Sequence, residues 1–153
     1  MSKVFMLIGI PGSGKTTYAK NVLQKKYPQA VLISSDEVRN KNPNMDEKLI
    51  WVEIYKLCKE NLSMDKDIIY DATNITVNVR DRFDEKLKDF NLKYDKIAYY
   101  FPTKAKICYE RVINRNNDKN ERFLPPEVVL SYGNKIIPPS IVEGFKEIFV
   151  IDR

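Results

Sequence analysis

Gly9-Ile10-Pro11-Gly12-Ser13-Gly14-Lys15-Thr16 satisfies the pattern G-x-x-x-x-G-K-[ST] at every fixed position, and no other stretch limits the fold so tightly. Such a loop works between a strand and a helix N-terminus. There, successive backbone N–H groups curl around phosphate oxygens and the helix dipole favours the anion. The flanks comply. Val4-Phe5-Met6-Leu7-Ile8 is a continuous apolar run, the pattern of a parallel strand buried on both faces. Tyr18, Ala19, Val22 and Leu23 then give Thr16 to Lys26 a helical period. Within the loop, Lys15 can reach the β- and γ-phosphates of a nucleotide, and the Thr16 hydroxyl can ligand Mg²⁺.

The rest of the chain repeats the alternation. Val31-Leu32-Ile33, Asp67 to Tyr70, Ile97 to Phe101 and Ile148 to Ile151 read as strands. Met45 to Met64 carries Ile50, Ile54, Leu57 and Leu62 at helical spacing, and Val77 to Phe90 and Ala105 to Asn114 are further helices. This order predicts an α/β fold, a parallel sheet sandwiched by helices. With 153 residues and 43% hydrophobic content, one domain spanning 1–153 is expected to build its own core. The most polar stretch, Asn114 to Arg122, reads as a mobile loop.

Composition removes several chemistries. The chain has no histidine, which excludes Ser-His-Asp and Cys-His hydrolases and His-ligated zinc. Any general base is therefore a carboxylate, a lysine or a tyrosine. Lys and Arg number 26 against 21 Asp and Glu, a formal charge of +5 that suits an anionic partner without demanding one. Cys58 and Cys108 lie far apart on helical stretches, as packed thiols of a reduced, cytoplasmic protein. The first apolar run is too short for a signal or membrane segment, so a soluble protein without a membrane partner is expected.

Two carboxylates sit where strands end. In a doubly wound sheet, ligands bind beyond the carboxyl ends of the strands. Asp36 follows Val31–Ile33 in Ser34-Ser35-Asp36-Glu37-Val38-Arg39, and can orient an acceptor hydroxyl and take its proton, or merely cap a helix. Arg39, three residues on, shares its helical face and can hold an anionic acceptor. Asp71 ends the third strand in Asp71-Ala72-Thr73-Asn74 and fits a Mg²⁺-water role, or a simple turn. Trp51, Tyr55 and Tyr70 are aromatics able to stack on a base, although helical spacing favours Trp51 as core.

Gly-Ile-Pro-Gly-Ser-Gly-Lys-Thr-Thr, Ser-Asp-Glu-Val-Arg and Asp-Ala-Thr-Asn together resemble the polynucleotide 5′-hydroxyl kinase group of P-loop phosphotransferases. The stretch from Leu130 through Pro139 to Phe145 resembles the end of the eukaryotic kinase domain of that group. The resemblance implies ATP as donor, Mg²⁺ as cofactor and a DNA or RNA 5′-hydroxyl end as acceptor. It gives Gly12, Ser13, Gly14, Lys15, Thr16 and Thr17 to the nucleotide, and Asp36 to the acceptor hydroxyl as general base. Arg39 would then contact the acceptor's phosphate, Thr73 and Asn74 would lie near the acceptor, and Asp71 would support the Mg²⁺ site with Thr16. The segment from about 114 to 124 resembles a lid that supplies an arginine to the transferring group, Arg122 first and Arg115 second. Related repair enzymes carry a phosphatase or ligase domain, so a separate partner of that kind is implied. Two other readings stay open: a kinase of a small molecule such as a nucleoside, sugar acid, antibiotic or sugar nucleotide, and a nucleotide-binding switch without turnover.

Overall fold

The computed structural model describes residues 1–153, the side chain of Asp89 excepted. Five parallel strands form one sheet: β1 (Ser2–Ile8), β2 (Val31–Ser34), β3 (Ile68–Asp71), β4 (Tyr94–Tyr100) and β5 (Phe145–Val150). Their order is β2-β3-β1-β4-β5, so the first strand is central. Val4 through Ile8 are fully buried because both faces of β1 are covered. The two-residue period splits them between two cores. Val4, Met6 and Ile8 pack with Ile54, Cys58 and Phe83 on one face; Phe5 and Leu7 pack with Ala19, Leu23 and Phe101 on the other.

The α/β expectation holds, and the last two strands start earlier than apolar content alone indicates. β4 starts at Tyr94, three residues before the apolar run, because Lys96 is buried against Asp84 and over the Phe145 ring. β5 starts at Phe145 for the same kind of reason: as an edge strand it exposes Lys146 and Glu147 while burying Phe145.

α1 (Lys15–Tyr18) leads into a π-helical segment (Ala19–Leu23) and a final turn α2 (Gln24–Lys26). α3 (Ser35–Lys41) begins at the very end of β2, capped by the Ser34 hydroxyl, which accepts from the Glu37 amide at 3.4 Å. The cap is therefore Ser34, which leaves the Asp36 carboxylate in the first turn without that duty. α4 (Glu47–Ser63) buries Ile50, Ile54, Cys58 and Leu62, a strict four-residue stripe. Each such aliphatic side chain contributes roughly 1.5–3 kcal/mol on burial. α5 (Val77–Leu87) is capped by Thr76, α6 runs from Ala105 to Asn116, and α7 from Pro126 to Lys135. None of the helices among the described residues is long and apolar enough to cross a membrane.

α7 carries no clear signal in the sequence because Gly133 interrupts its pattern. Packing explains the glycine: a Cβ there would lie 2.7 Å from the Ala105 Cβ, so α6 and α7 touch through it. α6 also reaches two residues beyond its apolar period. Its last residue, Asn116, accepts from the Leu124 amide at 3.0 Å and donates to the Leu124 carbonyl at 2.8 Å. The polar stretch is thus helix up to Asn116 and a loop clasped at its base beyond it.

Candidate active site

Register places the site. Leu7 on β1 and Ser34 on β2 both pair with Asp71 on β3, so three strands end level and their following loops open at one edge. The phosphate loop follows β1, α3 follows β2, and Asp71 closes β3. All three line one cleft of about 570 Å³, together with residues of α4, α5 and α6.

The loop is built to bring backbone close to α6. Gly12 sits at φ 84°, and a Cβ on it would fall 2.7 Å from the Cys108 carbonyl oxygen, so no other residue fits without a shift. Ile10 of the loop packs with Cys108 and Val112 of α6 and Val129 of α7. Ser13 is tucked beneath the loop with its hydroxyl buried and unpaired among the described residues. Its side chain is absent from the cleft wall, whereas Gly12, Gly14, Thr16 and the exposed Thr17 line it.

Lys15 is buried, and its Nζ donates to the Ile10 carbonyl at 3.1 Å. Burial lowers its pKa, against the opposing pull of Asp71 and then Asp36; the Arg115 charge pushes further down. Asp71 is 3% exposed and accepts from the Thr16 hydroxyl at 2.6 Å. Burial raises the Asp71 carboxyl above its usual range, with Lys15 and the Thr16 hydrogen bond opposing.

Asp36 is different: its side chain is half exposed. Arg39 donates to it at 2.9 Å, and an Arg122 Nη1 lies 3.7 Å away. Arg39 is itself fully engaged. Its Nε and Nη2 hold Glu47 on α4 at 2.6–3.2 Å, and its guanidinium lies 5.8 Å from the Trp51 ring centre. Arg39's hydrogen bond holds the Glu47 carboxyl below its usual range, outweighing a smaller desolvation.

The remaining predicted residues separate. Thr73 lines the cleft, and its carbonyl accepts from the Gly9 amide at 3.0 Å. Asn74 turns inward at φ 48°; its amide nitrogen donates to the Leu7 carbonyl at 2.8 Å and the Ala72 carbonyl at 3.3 Å. It locks the loop after β3 to β1 while still lining the cleft beside Thr73. Arg115 lines the cleft near Lys15, with its Nε buried and unpaired among the described residues. Arg122 stands on the Asp36 side instead. The structure therefore brings Arg115, in the last turn of α6, and Arg122, in the loop beyond it, to different partners.

Of the aromatics, Tyr70 is buried in the core and offers no stacking face, while Trp51 is only partly buried and lines the cleft. Three cleft residues escaped the sequence reading. Arg111 donates to the Gly12 carbonyl at 3.1 Å, Glu47 anchors Arg39, and Arg82 reaches the wall from α5. Exposed charges on helices look alike without the fold, so no signal in the sequence sets these three apart.

A nucleotide fits this arrangement on the geometry alone: a glycine loop, a buried lysine and a helix N-terminus converge on one edge. Mg²⁺ fits too. It keeps several waters and needs only one or two protein oxygens beside nucleotide phosphates, and Thr16 with the buried Asp71 carboxylate supplies them. No larger His, Cys, Asp or Glu cluster gathers among the described residues.

Comparison with known proteins agrees with this fold. Residues 4–136 match the family model described as AAA domain. An adenylate kinase of Wigglesworthia glossinidia brevipalpis is 29% identical over 148 residues, covering 85% of this chain and 67% of the relative. Among solved structures, a Chloroflexus aurantiacus protein with a provisional kinase assignment superposes with TM-score 0.77 at 16% identity, over 99% of this chain and 88% of that one. A fungal RNA kinase superposes with TM-score 0.70 at 23% identity, over 98% and 74% of the two chains. The chain belongs to the AAA domain family and has a kinase-like P-loop fold.

Proposed function

We propose that residues 1–153 form one ATP-dependent kinase domain that phosphorylates the 5′-hydroxyl end of a polynucleotide. One observation carries the reading. Asp36 is a half-exposed carboxylate in the same cleft as Lys15, released from helix capping by Ser34 and oriented by Arg39 at 2.9 Å. A nucleotide-binding switch has no need of a second, acceptor-facing carboxylate.

In the proposed reaction the acceptor hydroxyl oxygen forms a bond to the γ-phosphorus as the bond to the β–γ bridging oxygen breaks. ADP leaves with that electron pair, and the hydroxyl proton passes to the Asp36 carboxylate. Lys15 leaves its carbonyl partner Ile10 for the β- and γ-phosphates. Mg²⁺, when bound at Thr16 and Asp71, neutralises charge on the phosphate oxygens. Arg115, whose charge already acts on Lys15, serves the donor side; Arg122, beside Asp36, serves the acceptor side as the segment from about 114 to 124 closes. The buried thiols of Cys58 and Cys108 suit a reducing cytoplasm, and a phosphatase or ligase would act as a separate partner.

The sequence resemblance supports a nucleic-acid acceptor; the fungal RNA kinase likeness supports the fold alone. The adenylate kinase relative favours a second reading, a nucleotide-sized acceptor. Incubation with γ-labelled ATP and Mg²⁺ decides between them, offering 5′-hydroxyl RNA and DNA oligonucleotides, AMP and a metabolite panel. Label on oligonucleotides supports the proposal. Label on AMP or a metabolite alone overturns it.

A further inference from the structure

Away from the phosphate loop the cleft wall is made by α3, α4 and α5, with α4 packed against both of the others. Trp51 stands in the middle of this wall. Its ring packs against Tyr55 at 5.9 Å between centres, Arg39 lies over it at 5.8 Å, and its Nε1 donates to Glu47 at 3.3 Å. A tryptophan held on three sides before any ligand arrives is a rigid surface that loses little entropy on binding. Its partial burial matters equally. Trp51 sits one residue off the buried stripe Ile50, Ile54, Cys58 and Leu62, so it packs against the edge of the core and also lines the cleft.

Val79 and Arg82 of α5 line the same wall. The charge there is unevenly committed. Arg39 spends its guanidinium on Asp36 and Glu47, as its geometry shows. Arg82 makes no ion pair among the described residues, lies near Tyr55 and is exposed to the cleft. An aromatic face, an aliphatic neighbour and an uncommitted arginine match a nucleobase followed by a phosphate. A sugar acid or other small polyol has no π face to use Trp51.

Resting on the 5′-kinase reading, we propose that this wall is the acceptor subsite: Trp51 and Val79 take the terminal nucleobase, and Arg82 takes the first phosphodiester. Arg39 then acts as a positioning residue, fixing Asp36 and Trp51 rather than binding the acceptor phosphate.

The chain has a single tryptophan, so Trp51 reports on its own occupancy. Intrinsic fluorescence is titrated with a 5′-hydroxyl oligonucleotide, as RNA and as DNA, and with the same oligonucleotides carrying an abasic 5′-terminal residue. Intact ends should quench Trp51 strongly, and abasic ends should not. In transfer assays Trp51→Ala should raise the KM for intact ends roughly tenfold to a hundredfold. The same variant should change the KM for abasic ends little, and Trp51→Phe should restore most of the loss. Arg82→Ala should erase the preference for a nucleoside 3′-phosphate over the plain nucleoside, with Arg82→Lys partly restoring it. Equal quenching by intact and abasic ends, or equal penalties for both in Trp51→Ala, overturns the subsite while leaving the kinase reading intact. Wild-type protein that transfers no phosphate to any 5′-hydroxyl acceptor overturns both.

Discussion

Thr16, the last residue of the phosphate loop, donates its hydroxyl to Asp71 at the end of β3 across a distance of 2.6 Å. The two lie 55 positions apart in the chain, and the level ends of β1 and β3 bring them together. A hydroxyl and a buried carboxylate side by side, next to a buried lysine, form a pair poised for a hydrated divalent cation.

Asp71→Asn should therefore shift the Mg²⁺ titration of ATP turnover to higher concentration. It should also change how stability depends on pH. Burial raises the folded-state pKa of Asp71, so its ionisation costs folding free energy. That cost is absent below the ordinary carboxylate range of about 4, where the group is protonated in both states, and it grows as pH rises through the raised folded value. Nucleotide-free wild type should lose melting temperature relative to Asp71→Asn from about pH 4 upward. A gap between the two proteins that stays constant with pH would contradict the burial argument.

Lys15→Met should abolish turnover, on the order of 10³-fold or more, because the proposed reaction relies on its charge at the β- and γ-phosphates. The folded-state pKa of Lys15 is lowered chiefly by burial. Its charge is therefore carried at a cost that grows as pH falls from the ordinary lysine range through the folded value. The nucleotide-free variant is expected to stay folded at neutral pH, as measured by its thermal melt. Retained turnover would move the transfer site elsewhere.

Asp36→Asn separates catalyst from scaffold. The side chain is half exposed and Ser34 holds the cap, so the melting temperature should hardly move. Loss of a general base should lower kcat by about 10²–10⁴ with nucleotide affinity retained. Activity within a few-fold of wild type would remove the proposed base.

Arg115 and Arg122 should fail in different ways. Arg115→Ala is expected to lower kcat with either acceptor class, since that side chain stands by Lys15. Arg122→Ala is expected to act on the acceptor KM and on its salt dependence, since it stands by Asp36. Matching kinetic profiles for the two variants would show that they share one role.

Arg80 offers a test of the fold itself. It is 1% exposed, forks onto Glu143 at 2.7 and 3.1 Å, and donates to the Asn74 and Ile137 carbonyls. Arg80→Ala leaves the buried Glu143 carboxylate without its ion-pair partner, with only the Ser140 amide donating to it, and should destabilise the protein by about 3–5 kcal/mol. Chemical denaturation of the variant against wild type gives the number directly.

Much of this was legible in the residues. The apolar run before Gly9, the loop itself and the strand-end carboxylates carry short-range signals, and the structure gathers Lys15, Thr16, Asp36 and Asp71 in one cleft. What stayed hidden depends on distant partners. Asn74 carries an amide suited to ligand contact, yet it is consumed by the Leu7 carbonyl, 67 positions away. Arg39 is occupied by Glu47 from another helix, and Gly133 hides a helix that exists because Ala105 approaches it closely. Helical period sets Trp51 beside the core, where it does pack, and only the fold shows that one residue of rotation around α4 also brings it to the cleft.

The clasp between Asn116 and Leu124 makes the chain between them a closed hoop, sealed at its neck by two hydrogen bonds. The two hydrogen bonds at the neck should keep added length at the tip of the hoop from disturbing α6. This is the place where the protein can accept a graft: a short inserted sequence after Lys119 should leave the melting temperature unchanged, and Asn116→Ala should remove that tolerance.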